Sequence, residues 1–391
     1  MTPKVTTLRR RPPTSAVSSW NGAAENESPK TRRENVSPII AERLQGLVYG
    51  QAIGDALGVG GEFHSEHDMR RIYPEGLSEY EQIRRSSHAG VWEPGEWTDD
   101  TEQFLAVLES LLDSGVAEDD VDLDDMARRF QQWLTRDGRG IGNLTFMVLT
   151  HGRFLEAPHE TARQLWEQRG RRSAPNGAVM RTASLAILPW ERDLQAAART
   201  VRAVCELTHA DPRCAWSCLV ISFVAACLVR GDDDIPGACE RAMVCGRALR
   251  LDEAAGEETR NWIEMALCGE RGKGRAIKFI GHDPGRGYCL KTLYAGLGDL
   301  SLGHGPGQGY TMRTMAAGLW AAWHAESFAD GLLPVINSGG DADTNGAVAG
   351  ALLGARFGGS GLPLRWVEGL VNRERLDAAL QRMQPVLGNE R

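Results

Sequence analysis

Apolar residues recur with helical spacing along almost the whole chain after residue 38. Ile40, Leu44, Leu47, Val48 and the run from Gln51 to Ile53 keep a period of about 3.6 residues with one apolar stripe. Phe104, Leu105, Leu108, Leu111 and Leu112 do the same, as do segments 125–134, 194–207, 214–229, 238–250 and 258–268. No stretch alternates apolar and polar residues between hairpin turns, so strands are not expected. The pattern predicts a single all-α domain of many helices over residues 39–391, with no internal linker. One internal echo is visible: GYCLKTLYAGL at 287–297 and GYTMRTMAAGL at 309–319. Two copies are too few for a solenoid. They read as a local duplication, or as two helix starts sharing a Gly-Tyr entry.

Residues 1–38 break the pattern. They are rich in Pro, Ser, Thr, Asn and Arg and poor in large apolar groups. Residues 1–35 carry seven basic and three acidic side chains, a net +4, which leaves −12 on the rest of a chain at −8. Such an arm is expected to be disordered when free. It lacks the apolar core of a secretory signal, and Pro12 and Pro13 break any amphipathic transit helix. It reads either as a plain tail or as a partner-binding arm anchored by Trp20.

Composition narrows the class. The 391 residues are 42% hydrophobic, enough for a sizeable core. The net charge of −8 argues against a general nucleic-acid surface. No run of about eighteen apolar residues is present, so no membrane span, and no membrane partner, is expected. Eight cysteines fall in apolar, helix-like segments without a C-x-x-C pair. They read as buried free thiols of a reducing, cytoplasmic compartment rather than a zinc site or disulfide framework.

Candidate chemistry lies in acidic clusters. In INSGGDADTNGAVAGALLG (336–354), Asp341, Asp343, Thr344 and Asn345 crowd together beside glycines. Carboxylates this close repel unless a cation or several donors hold them. The spacing fits the first six positions of an EF-hand, but position twelve is Leu352 where a bidentate Glu is required. A helix follows from about 345 to 357, made thin by glycine and alanine so that its backbone can sit deep in a crowded core. A second cluster, Thr98-Asp99-Asp100-Thr101, heads the Phe104 helix, where Asp99 and Glu102 have capping-box spacing. An acidic N-cap explains one of these aspartates and leaves the other surplus. Two acidic clusters at two helix starts suggest shared hard cations, Mg²⁺ or Mn²⁺.

Three further stretches have ordinary readings when taken alone. In YGQAIGDALGVGGEFH, Asp55 and Glu62 flank a glycine-rich bend that fails the G-x-G-x-x-G pattern, and solvent-facing acids at a helix end are the default. Asn176-Gly177, ahead of an apolar helix, reads as a turn and cap. His209 reads as structural.

Together the five stretches resemble the ADP-ribosylglycohydrolase family, the DraG-like and ARH-like hydrolases. The motifs are Gly54-Asp55-Ala56-Leu57-Gly58 through Glu62, Trp97-Thr98-Asp99-Asp100-Thr101, Asn176-Gly177-Ala178-Val179-Met180-Arg181, Thr208-His209-Ala210-Asp211-Pro212, and Gly339-Gly340-Asp341-Ala342-Asp343-Thr344 through Gly354-Ala355. They occur in family order over about 46 to 358. The resemblance implies an all-α orthogonal bundle with a binuclear metal site. It implies two Mg²⁺ (or Mn²⁺) ions held by Thr98, Asp99, Asp100, Asp341, Asp343 and Thr344. Glu62 would be the acid/base residue, and Asp100 would orient water. Ser173, Ala174, Asn176 and Gly177 would hold the diphosphate, and His209 would line the ribose or diphosphate pocket. The implied reaction removes ADP-ribose from a modified protein, from arginine in the first instance. The alternative is a binding protein whose arm occludes an ADP-ribosyltransferase toxin, and the two can coexist. A catalytically silent structural relative, of the lens-crystallin kind, is disfavoured because all six ligand positions and Glu62 are intact.

Overall fold

The computed structural model describes residues 37–84, 89–114, 121–267, 297–303 and 307–387, and the described residues form helices and loops without a β-strand. In chain order the α-helices are α1 (Pro38–Gly58), α2 (Glu66–Ile72), α3 (Asp99–Ser114), α4 (Leu123–Arg136), α5 (Asn143–Leu149), α6 (Pro158–Gln168), α7 (Leu194–Glu206), α8 (Pro212–Val229), α9 (Ile235–Ala248), α10 (Glu253–Ala266), α11 (Thr311–His324), α12 (Phe328–Asn337), α13 (Ala342–Phe357), α14 (Leu364–Glu368) and α15 (Arg373–Leu387). The fold class is the all-α one the periodicity predicts. Segments 125–134, 194–207, 214–229, 238–250 and 258–268 correspond to α4, α7, α8, α9 and α10. Each of these five starts on an aspartate (Asp122, Asp193, Asp211, Asp234, Asp252) whose carboxylate accepts a backbone N–H of the first turn.

The centre of the fold is built on glycine. α1 carries Gly46, Gly50, Gly54 and Gly58, one per turn on a single face, and α13 answers with Gly354, Gly350 and Gly346. A Cβ on Gly46, Gly50 or Gly54 would clash with the carbonyl of Gly354, Gly350 or Gly346 respectively. The pairing runs antiparallel, so the C-terminal end of α1 lies beside the N-terminal start of α13. The single apolar stripe expected of α1 is therefore incomplete. From Gly46 to Gly58 every residue is buried, because the glycine face packs as tightly as the apolar one.

Three other expectations need correction. The apolar segment after Asn176-Gly177 is a 3₁₀-helix, Val179–Ile187, rather than an α-helix. Its hydroxyls turn back on the backbone, Ser184 Oγ donating to the Arg181 carbonyl at 2.6 Å and Thr182 Oγ1 to that of Val179 at 3.1 Å. One described helix, α8, is long and apolar enough to cross a membrane, with 18 residues at mean hydropathy 1.8, but 83% of it is buried inside the fold. Its all-round apolarity is that of a core helix enclosed on every side. Finally, α13 starts at Ala342, three residues before the expected 345. The six described cysteines, Cys205, Cys214, Cys218, Cys227, Cys239 and Cys245, are free thiols. Residues 1–36 of the arm and the first copy of the Gly-Tyr echo lie outside the described residues.

Candidate active site

The glycine contact brings two acidic segments together, and Asp55 adds the third. Asp55 is not the solvent-facing acid of a bend. It lies inside α1, fully buried, because the helix runs on to Gly58. Its carboxylate accepts from the Thr98 N–H at 3.1 Å, the Thr101 N–H at 3.0 Å and the Thr101 hydroxyl at 2.6 Å. It thus caps the start of α3 from another helix. The Asp99–Glu102 capping box does not form: α3 already begins at Asp99, and the Glu102 N–H bonds the Thr98 carbonyl at 3.2 Å. Both aspartates, Asp99 and Asp100, are thereby left for chemistry.

The loop after α1 is clipped to the loop before α13. The Phe63 N–H donates to the Gly340 carbonyl and the Gly340 N–H to the His64 carbonyl, both at 2.7 Å. Gly340 sits at φ +75°, a conformation glycine adopts without strain. This clip sets Glu62 beside Asp341 and Asp343, with one carboxylate oxygen from each within 4.8 Å of the others. Asn176 Nδ2 donates to Asp341 Oδ2 at 2.7 Å and to Thr314 Oγ1 at 3.0 Å. The Thr344 N–H holds Asp343 Oδ1 at 2.8 Å. Thr98 Oγ1 donates to Asp100 Oδ2 at 3.1 Å, and Asp100 Oδ1 is buried without a hydrogen-bond partner.

These groups line one cavity of about 380 Å³. Of the residues singled out in the sequence, Glu62, Asp99, Asp100, Asn176, Gly177, His209, Asp341, Asp343 and Thr344 line it. Thr98, Ser173 and Ala174 do not. The Thr98 hydroxyl is bonded to Asp100, and the Ala174 carbonyl is taken by the Thr311 N–H at 3.1 Å. The sequence reading missed the loop Gly140–Thr145 and the pair Gln308–Gly309, which also line the cavity. The glycine-rich DGRGIGN (137–143) and the second Gly-Tyr echo were the available signals. Gly309 accepts the Asn176 N–H on its carbonyl at 2.9 Å, so the echo copy contributes directly to the site.

The electrostatics call for cations. Burial, then repulsion from neighbouring carboxylates, pushes Asp99, Asp100 and Asp343 well above the usual carboxylate range, and Asp341 upward too. No Lys or Arg is among the described residues lining the cavity. The donors are carboxylate and hydroxyl oxygens, with no thiol. A hard divalent cation fits such a set, and the orphaned Asp100 oxygen is a ligand atom without another use.

Comparison with known proteins decides the family. The family model for ADP-ribosylglycohydrolase matches residues 36–390. The chain belongs to the ADP-ribosylglycohydrolase family. It is 28% identical over 359 residues to the ADP-ribosyl-[dinitrogen reductase] glycohydrolase of Rhodospirillum rubrum, covering 88% of this chain and 97% of that one. It is 24% identical over 375 residues to the ADP-ribosylarginine hydrolase Tri1 of Serratia proteamaculans (strain 568), covering 90% and 84%. A solved structure of an ADP-ribosylglycohydrolase-related protein complex superposes with TM-score 0.58 at 25% identity, over 89% of this chain and 98% of that one. The reaction class is removal of ADP-ribose by a glycohydrolase, and the family is metal-dependent.

Proposed function

We propose that the protein hydrolyses the N-glycosidic bond between ADP-ribose and arginine on modified proteins, and that two Mg²⁺ ions (Mn²⁺ as a substitute) serve the reaction. The observation that carries this reading is the convergence of Glu62, Asp99, Asp100, Asp341 and Asp343 on one cavity. Asp99, Asp100, Asp341 and Asp343, with the hydroxyls of Thr98 and Thr344, would hold the metal. Bound ions would grip ribose hydroxyls and lower the pKa of a water. Glu62 protonates the departing guanidino nitrogen and takes a proton from the attacking water, while Asp100 orients that water. The carboxylates stabilise the oxocarbenium-like state at the anomeric carbon. Asn176 and Gly177 face the diphosphate, and His209 donates to a ribose or diphosphate oxygen. Two relatives bearing the name ADP-ribosylarginine hydrolase support arginine as the linkage. The test is release of ADP-ribose from arginine-modified, serine-modified and O-linked ester substrates. Preference for the serine or ester substrate would overturn the arginine assignment.

A second role is favoured by the arm alone. A +4 segment with Trp20 amid small polar residues, on a chain otherwise at −12, suits binding to the arginine-accepting cleft of an ADP-ribosyltransferase toxin. In that role the protein would neutralise the toxin by occlusion as well as by hydrolysis.

A further inference from the structure

Arg181 lies behind the cavity and is fully buried. Its guanidinium rests 4.3 Å from the centre of the Phe130 ring. One terminal nitrogen donates to Gln103 Oε1 at 2.7 Å. The other donates to Thr208 Oγ1 at 2.7 Å and to the Val204 carbonyl at 3.3 Å. Thr208 Oγ1 lies 2.7 Å from His209 Nδ1.

Proton accounting along this chain fixes the imidazole. An arginine nitrogen only donates, so Thr208 Oγ1 accepts from Arg181. The Thr208 hydroxyl has its own proton to place, and it is buried. Among the described residues His209 Nδ1 is its one acceptor. Nδ1 therefore accepts, and the ring proton of the neutral imidazole sits on Nε2. Nε2 is buried without a partner, and His209 is 1% exposed and lines the cavity. It stands at the floor beside Gly177, where a Cβ would come within 3.1 Å of it.

We infer that Arg181, acting through Thr208, is a positioning residue that locks His209 as a neutral Nε2–H donor facing a ligand oxygen. This rests on the reading of the cavity as the ADP-ribose site. It separates two jobs that a cavity histidine could do. A general base or metal ligand needs a lone pair on Nε2, whereas this tautomer offers a proton to a phosphate or ribose oxygen. Burial and the Arg181 charge push His209 down to about 3, so the ring stays neutral wherever the enzyme works. Lysine at 181 cannot serve Gln103 and Thr208 with the same planar fork.

The test combines ring ¹⁵N NMR of histidine-labelled full-length protein with calorimetric titration of ADP-ribose in Mg²⁺. The wild type and Thr208→Ser should show Nε2 protonated and Nδ1 bare. Thr208→Val and Arg181→Met should show a mixture of tautomers, and Thr208→Val should bind ADP-ribose about twofold more weakly, because only the Nε2–H fraction is competent to donate. Rescue by serine separates the relay from simple packing. A wild-type spectrum with Nδ1 protonated overturns the inference, as does a Thr208→Val protein with unchanged tautomer and affinity. If the valine and methionine variants fail to fold, the wild-type spectrum decides alone. If wild-type protein shows the expected tautomer but binds no ADP-ribose, it is the reading of the cavity that fails.

Discussion

Gly54 of α1 and Gly346 of α13 lie backbone against backbone, so that a Cβ on either would clash with the carbonyl of the other. Glu62 follows Gly54 by eight residues, in the loop after α1, and Asp343 lies about one turn before Gly346 within α13. The spacing of the acidic cluster is thus set by this helix packing together with the clip between the loop after α1 and the loop before α13. Gly54→Ala should destabilise the fold by about 3 kcal/mol or more, since neither backbone can give way. It should also weaken Mg²⁺ binding. Denaturant unfolding of the metal-free protein checks the first effect, and a wild-type midpoint would contradict the close packing.

Metal removal should make stability fall with pH. In the metal-free fold, burial pushes the Asp55 carboxyl from 3.8 up to about 7, and raises Asp99, Asp100, Asp341 and Asp343 as well. The native state therefore keeps protons that the unfolded chain has already released, so the stabilisation is full at low pH and is lost between roughly pH 4 and 7. Saturating Mg²⁺ should flatten or reverse that slope, because it favours the ionised carboxylates. Thermal melts at several pH values, with EDTA and with Mg²⁺, measure this directly. An EDTA-treated protein whose melting temperature rises across that range would contradict it.

Glu62 was expected as an acid/base residue only, yet it stands within ligand reach of Asp341 and Asp343. The two roles give different outcomes. If its role is proton transfer, Glu62→Gln should cut turnover by about a hundredfold or more while Mg²⁺ and ADP-ribose bind as before. If calorimetry instead shows metal affinity lost in step with activity, Glu62 is a ligand first.

The arm should be separable from catalysis. Ser37 and Pro38 belong to the start of α1, with the Ala41 N–H bonded to the Ser37 carbonyl at 3.0 Å, so the cut belongs after residue 36. Deleting 1–36 should spare ADP-ribose release and weaken binding to a co-encoded ADP-ribosyltransferase. Loss of hydrolysis would place the arm in the catalytic domain. Unchanged binding would leave it a plain tail.

Much of the site was written in local patterns. The apolar period announced the segments that fold as α4, α7, α8, α9 and α10, and the paired acids at 99–100 and 341–343 pointed to residues that share one cavity. What stayed hidden depends on distant partners. Asp55 looked like a surface acid because the donors that hold it, Thr98 and Thr101, sit 43 and 46 residues away. The packing role of the α1 glycines is invisible locally, because the glycines they meet are some three hundred residues on. Arg181 and Thr208 each fall in one of the five motifs, but neither motif shows that they act together; that comes from a hydrogen-bond chain that only the folded protein assembles.

In the proposed reaction the buried carboxylates hold divalent ions that hydrolysis requires. The most direct measurement is ADP-ribose release from arginine-modified protein by wild type, Asp99→Ala and Asp343→Ala, across a Mg²⁺ titration after EDTA treatment, with circular dichroism on each protein. The wild type should lose activity in EDTA and regain it with Mg²⁺, while both variants stay inactive at every Mg²⁺ concentration with helical spectra intact. Full activity of metal-stripped wild type, or of Asp343→Ala, would show that hydrolysis does not depend on ions held by these carboxylates.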